Sequence, residues 1–253
     1  MPHLTSGCRL THGSSLPIML QAMVWGGVAA FSLVLGAVLG VVRRWPPLVT
    51  GVVLGFGAGA LISSVAFDLA QEGLKLSGAV PVAAGIAFGA LAFFLADAVV
   101  ERIGGRSGGS AAGLVLALGA LLDGVPEQAV LGIGLVAGGG VSIALLVAIF
   151  VSNLPEAIGS SADMIESGKS RRSILFLWFV VALVCMAASL AGALIAEAAT
   201  PGLRGGINGF AAGALLVMLT DSMIPEAKEK ARNWAGLSVV VGFAVAAGLS
   251  QLS

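Results

Sequence analysis

A chain of 253 residues could form one or two water-soluble domains, but 58% of this one is hydrophobic, only 10% is charged, and its mean hydropathy is +1.03. Too little polar surface remains to cover a soluble globule. Thirteen basic and thirteen acidic residues cancel, so no bulk field points to nucleic acid or to a strongly charged partner.

The first sixteen residues are polar and read as a tail, and residues 17 to 253 read as a single transmembrane domain. Cutting at charge clusters and Gly/Pro punctuation predicts eight spans, at 17 to 42, 48 to 70, 79 to 100, 111 to 136, 141 to 164, 173 to 197, 206 to 226 and 234 to 252. Each approaches the roughly 20 residues that cross a hydrocarbon core, so the expected class is an all-α integral membrane protein in a lipid bilayer. The first apolar run is too long for a signal-peptide core and is read as a retained span. The fourth and fifth spans are joined only by AGGG, residues 137 to 140, which predicts a tight helical hairpin.

Cations set the expected orientation. One set of loops carries Arg43, Arg44, Arg102, Arg106, Lys169, Arg171, Arg172, Lys228, Lys230 and Arg232, against Arg9, Lys75 and Arg204 on the other. Positive residues are retained in the cytoplasm, so both termini are expected outside the cell (inner or plasma) membrane. An internal repeat also emerges. GFGAGALISSVAFDLAQE, residues 55 to 72, aligns without gaps to GFAAGALLVMLTDSMIPE, residues 209 to 226. Spans two and seven cross in opposite directions, so spans one to three and six to eight are expected to form an inverted repeat around spans four and five, a transporter arrangement.

The chemistry concentrates on spans four and five. Asp123, Glu127 and Glu156 fall near the middle of greasy helices, where a charge costs at least about 2.5 kcal/mol and needs a partner. No Lys, Arg or His lies well inside any span to serve as that partner. A bound divalent cation would. Asp123 and Glu127 share one helix face by their spacing, as do Ser152 and Glu156, and with the Asn153 amide they offer oxygen donors across the hairpin. Pro126 and Pro155 are expected to kink the two helices and to free the carbonyls of Leu122 and Val151. Toward the span ends, Asp68, Glu72, Asp163, Asp221 and Glu226 are candidate entrance and exit positions, whereas Asp97 and Glu101 read as ordinary interfacial charges. Cys8 and Cys185 suggest neither a disulfide framework nor a zinc cluster. An enzyme is not expected: phosphate chemistry would want a cation at the developing charge, and an aspartyl protease would want paired aspartates.

With these motifs the chain resembles a divergent, bacterial-type member of the ZIP (Zrt/Irt-like) divalent-metal transporter family. Asp123-Gly124-Val125-Pro126-Glu127-Gln128 stands where the family has about His-Asn-x-Pro-Glu/Asp-Gly, and Ser152-Asn153-Leu154-Pro155-Glu156-Ala157 where it has about His/Gln-Glu/Asp-x-Pro-Glu/His-Glu/Gly. Met223-Ile224-Pro225-Glu226-Ala227 is similar to the family's Ile-Pro-Glu-Ala. The resemblance covers nearly all of the chain after the tail. It implies eight helices in a 3+2+3 inverted arrangement, a homodimer, and two metal positions. One draws on Asp123, Glu127, Ser152 and Glu156; the other on Glu127, Asn153, Glu156 and an acid of span six.

Several residues depart from that pattern. Asp123 replaces a histidine, Gly124 an asparagine, and Ser152 a nitrogen or amide ligand, while span six has no acid before Glu197. The only histidines, His3 and His12, lie in the tail, so the expected site is all oxygen. Carboxylate and amide oxygens suit manganese or ferrous iron, whereas the family implies zinc, with cadmium also compatible; the metal is the substrate, and no organic cofactor is expected. The alternative is a ZIP-like protein that has lost metal transport and acts as a sensor or carries another solute.

The orientation is testable by labelling intact cells with a membrane-impermeant maleimide, in a background lacking the native cysteines. Lys75→Cys is expected to label from outside and Arg172→Cys only after the membrane is permeabilised.

Overall fold

The computed structural model of the protein describes residues 17–106, 112–138 and 141–250. All regular structure among them is helical, and eight helices are long and apolar enough to cross a membrane. Helix α1 is Ile18–Val42. Helix α2 is composite: Pro47–Ser64, a π-helical segment Val65–Gln71, and a last stretch Glu72–Ser77. Gly78, at φ 77°, then turns the chain into α3, Ala79–Arg106, a left-handed conformation that glycine adopts without a Cβ penalty. Helices α4, α5 and α6 are Ala112–Gly138, Ile143–Glu166 and Arg171–Ala198. Helix α7 is again composite, made of Pro201–Met218, a π segment Leu219–Met223, and Ile224–Ala231; α8 is Asn233–Ser250. The expected tail, residues 1 to 16 with Cys8, His3 and His12, lies outside the described residues, as do residues 139–140 of the AGGG turn.

Local chemistry explains the helix ends. Pro47 and Pro201 sit in the first turn, where a missing N–H costs nothing. The side chains of Ser142 and Ser170 accept the backbone N–H groups of Leu145 and Ser173, each at 3.2 Å, and so cap α5 and α6. Helices α2 and α7 continue past the predicted span ends, because EGLKLS and IPEAKEKA remain helical after the apolar run stops. Hydropathy marks the membrane-crossing part of a helix and not its last turn.

Burial separates six of the helices into two groups, with α1 and α4 between them. Helices α2, α5 and α7 are buried over more of their length than α3, α6 and α8. The latter turn Phe88, Phe94, Phe176, Phe179, Trp234 and Val240 outward. A wide apolar exterior is what lipid tails accept, and it leaves the interior to small and polar side chains.

Backbone contact through glycine holds the helices together in pairs. Helix α2 packs on α8, α7 on α3, α5 on α1, and α4 on α6. A Cβ on Gly59 of α2 would overlap the Val239 carbonyl of α8, and one on Gly213 of α7 would overlap the Ile86 carbonyl of α3. Reciprocally, Gly242 of α8 lies against the Phe56 carbonyl and Gly89 of α3 against the Phe210 carbonyl. Gly59 and Gly213 are equivalent positions of the internal repeat, as are Phe56 and Phe210, so two distant interfaces use one construction. The π segments obey the same correspondence: Val65 and Leu219, their first residues, are also equivalent.

Close approach of this kind tolerates no added methyl group. Gly59→Ala is expected to cost about 1–3 kcal/mol, the usual overpacking penalty, and to lower the unfolding midpoint in detergent by several degrees. Gly236→Ala, at an α8 position with nothing within 4 Å of a built Cβ, is expected to leave the midpoint unchanged or to raise it.

Candidate metal centre

Although only four residues separate them in sequence, α4 and α5 do not pack along their whole length. Helix α4 lies chiefly on α6, α5 lies chiefly on α1 and α2, and the hairpin partners touch over a shorter stretch. Within it the Ser152 hydroxyl of α5 faces the Glu127 carboxylate of α4, with Oγ 3.2 and 3.3 Å from its two oxygens. The same hydroxyl lies 3.0 Å from its own helix's Ile149 carbonyl, so its one proton is shared among competing acceptors. Gly57 of α2 permits this crossing: a Cβ there would stand 2.8 Å from the Ser152 Cα.

Glu127, Ser152 and Asn153 are all but fully buried, at 1–2% exposure. Asp123 and Glu156 are half-buried. The charges that act on Glu156 are Asp123, Glu127, Glu226 and Lys230, and those acting on Asp123 are Glu226 and Asp97. Acids from α3, α4, α5 and α7 therefore share one neighbourhood inside the bundle. They are not drawn into a coordination shell: among the described residues, no three His, Cys, Asp or Glu side chains stand close enough to hold one ion.

Two buried amides make the region more polar. Asn153 and Gln128 are at most 1% exposed, and no hydrogen-bond partner is found for any of their side-chain nitrogen or oxygen atoms among the described residues. Burying an amide this way is unfavourable unless a ligand, ion or water satisfies it. Both helices run through their prolines, so Pro126 offers no N–H to the Leu122 carbonyl, nor Pro155 to that of Val151.

The candidate entrance and exit acids separate clearly. Asp68 sits in the π segment of α2, half-buried, and accepts a hydrogen bond from the Ser142 hydroxyl at 3.1 Å. Glu72 pairs with Lys75 at 3.4 Å near the end of α2. Asp163 and Asp221 are exposed. Glu226 alone of the five acts on Asp123 and Glu156, and it also accepts a hydrogen bond from Lys230 one turn later.

Three residues that sequence reasoning set aside also belong here. Asp97, read as an ordinary interfacial charge, acts on Asp123. Cys185 of α6 is fully buried, and a Cβ on Gly124 would stand 2.9 Å from its sulfur, so the sulfur fills space that Gly124 leaves beside Asp123. Glu156 and Glu127 both act on that thiol. Lys230, read as a loop cation, acts on Glu156. The sequence offered one clue, the glycine at 124, a departure from the resembled motif that becomes meaningful only with its neighbour in place.

Comparison with known proteins identifies a family. The sequence pattern of the ZIP zinc transporter family matches residues 101–250. A protein of Arabidopsis thaliana that bears the provisional name of zinc transporter is 28% identical over 240 residues, covering 89% of this chain and 38% of its own length. The chain thus spans less than two fifths of that curated relative. Because the family pattern extends over more than half of its residues, including both Pro-Glu helices, the chain belongs to the ZIP zinc transporter family.

Proposed function

We propose that the protein moves a divalent metal cation, zinc first, across the membrane through Asp123, Glu127, Ser152, Asn153 and Glu156. The observation that carries this reading is the buried Glu127 carboxylate, held against Ser152 where α4 meets α5, with Asp123 and Glu156 in the same electrostatic neighbourhood. Buried carboxylates of one sign are stabilised by a positive ion, and a divalent ion offsets two of them.

One residue bears on the choice of metal. The Cys185 sulfur lies against Gly124, the residue after Asp123, and a soft donor that joined the ion there would favour zinc and cadmium over manganese. Asn153 supplies an amide that lacks a protein partner. Movement of the ion is read as alternating access around this site, the 3+2+3 halves acting as inverted repeats. The matched glycine interfaces of α2 with α8 and of α7 with α3 support that reading, as do the π segments at equivalent positions.

The test is flux into proteoliposomes, with zinc, manganese, ferrous iron and cadmium in parallel. Glu127→Gln and Glu156→Gln are each expected to reduce zinc uptake at least about tenfold while the protein stays folded, as for loss of a site carboxylate. Normal uptake by both variants would sink the assignment. A folded wild type with negligible flux of every metal would favour the reading in which transport has been lost, which the wide spacing of the donors also allows. Cys185→Ser is expected to shift preference toward manganese, read as a several-fold fall in the zinc-to-manganese uptake ratio.

A further inference from the structure

Lys230 is placed unusually for a lysine at the end of a membrane helix. Such side chains normally lay their stems along apolar surface and carry the ammonium out to water. Here the stem crosses α2 at Gly51, where a built Cβ would stand 2.7 Å from the Lys230 Cβ. Its ammonium then reaches α5 at Gly159, where a built Cβ would stand 3.0 Å from Nζ. Two glycines on two different helices thus leave room for one side chain, which is only 27% exposed. The ammonium donates to the Glu226 carboxylate and acts on Glu156, which lies three residues before Gly159 on the same face of α5.

The internal repeat underlines the asymmetry. Gly205 is the repeat equivalent of Gly51 and lies against Ser77 and Gly73 at the end of α2, but Leu76 stands where the repeat would place Lys230. The crossing is built at both ends of the repeat and carries an ammonium at only one.

We propose that Lys230 is the built-in counter-cation of the carboxylate cluster. With no metal bound, its ammonium, lodged against Gly159 with the stem over Gly51, neutralises part of the charge of Glu226 and Glu156. A divalent ion arriving at Glu156 repels the ammonium and displaces it toward water. Lys230 thereby weakens metal binding and favours release, because the ion must compete with a charge the protein already carries. This rests on the metal-site reading above, and it adds a residue that sets affinity without ligating.

The experiment uses the full chain in detergent, with zinc titrated into wild type, Lys230→Gln, Glu226→Gln, Glu127→Gln and a control, Lys228→Gln, whose side chain is exposed. Labelling of lysines by an amine-reactive reagent is followed in parallel by mass spectrometry. Lys230→Gln is expected to tighten zinc binding by about tenfold, the order expected for removing one nearby charge, while Lys228→Gln leaves it unchanged. In wild type, Lys230 is expected to label more slowly than Lys228 and to become several-fold more reactive when zinc is added. Glu226→Gln, which leaves the lysine in place, is expected to make Lys230 reactive without zinc.

Zinc binding that is sensitive to Glu127→Gln but indifferent to Lys230→Gln, with Lys230 labelling unmoved by zinc, would overturn this proposal and leave the metal-site reading intact. Absence of zinc binding in folded wild type would overturn both. If Lys230→Gln does not fold, the labelling of wild type and Glu226→Gln decides alone.

Discussion

A carboxylate buried among apolar helices is the constraint on which the rest of this structure depends. Glu127 is 1% exposed in the middle of a bundle whose exterior is Phe, Leu, Val and Trp. Charge in such a place is tolerated only with compensation nearby. Its surroundings supply that in steps: the Ser152 hydroxyl at hydrogen-bonding distance, the amides of Asn153 and Gln128 close by in sequence, and, acting on the neighbouring Glu156, the Lys230 ammonium. These groups come from α4, α5 and α7, so the protein must bring several elements to one place.

Glycine makes that convergence possible. Gly57 admits the Ser152 backbone, Gly124 the Cys185 sulfur, Gly159 the Lys230 ammonium, and Gly59 and Gly213 the carbonyls of neighbouring helices. In lipid the hydrophobic effect does not drive helices together, so close packing and polar contact carry the association. The residues that bring the acids together are therefore the same ones that hold the bundle. A substitution at one of them changes stability and site geometry at once.

Much of this was legible in the sequence for a physical reason. A bilayer demands long apolar runs with satisfied backbones, so eight spans stand out from composition alone. A buried Pro-Glu pair is costly enough to be conspicuous wherever it occurs. What stayed hidden depends on the neighbour across the interface. Cys185 looked like one more apolar residue of α6 until the missing side chain at Gly124 gave its sulfur a place. Lys230 looked like a loop cation because hydropathy ends before the helix does, and Asp97 looked interfacial because the acid it acts on, Asp123, lies on another helix. A short connection fixes where two helices meet at one end and not how long they stay together, and α4 and α5 pack chiefly on other helices.

The π segments carry a geometric consequence of their own. A π turn accommodates one more residue than an α turn, so it acts as a single-residue insertion that the helix absorbs without breaking. Successive residues of an α-helix point about 100° apart, and everything beyond such an insertion is rotated by roughly that much from where a uniform helical wheel would put it. In α7 the insertion, Leu219–Met223, falls just before Glu226 and Lys230. The face that this last stretch turns toward α5 is thus set by a change of helical pitch one turn earlier. Removing one residue there would swing the acid and its lysine around the axis while leaving every apolar span the same length to within one residue.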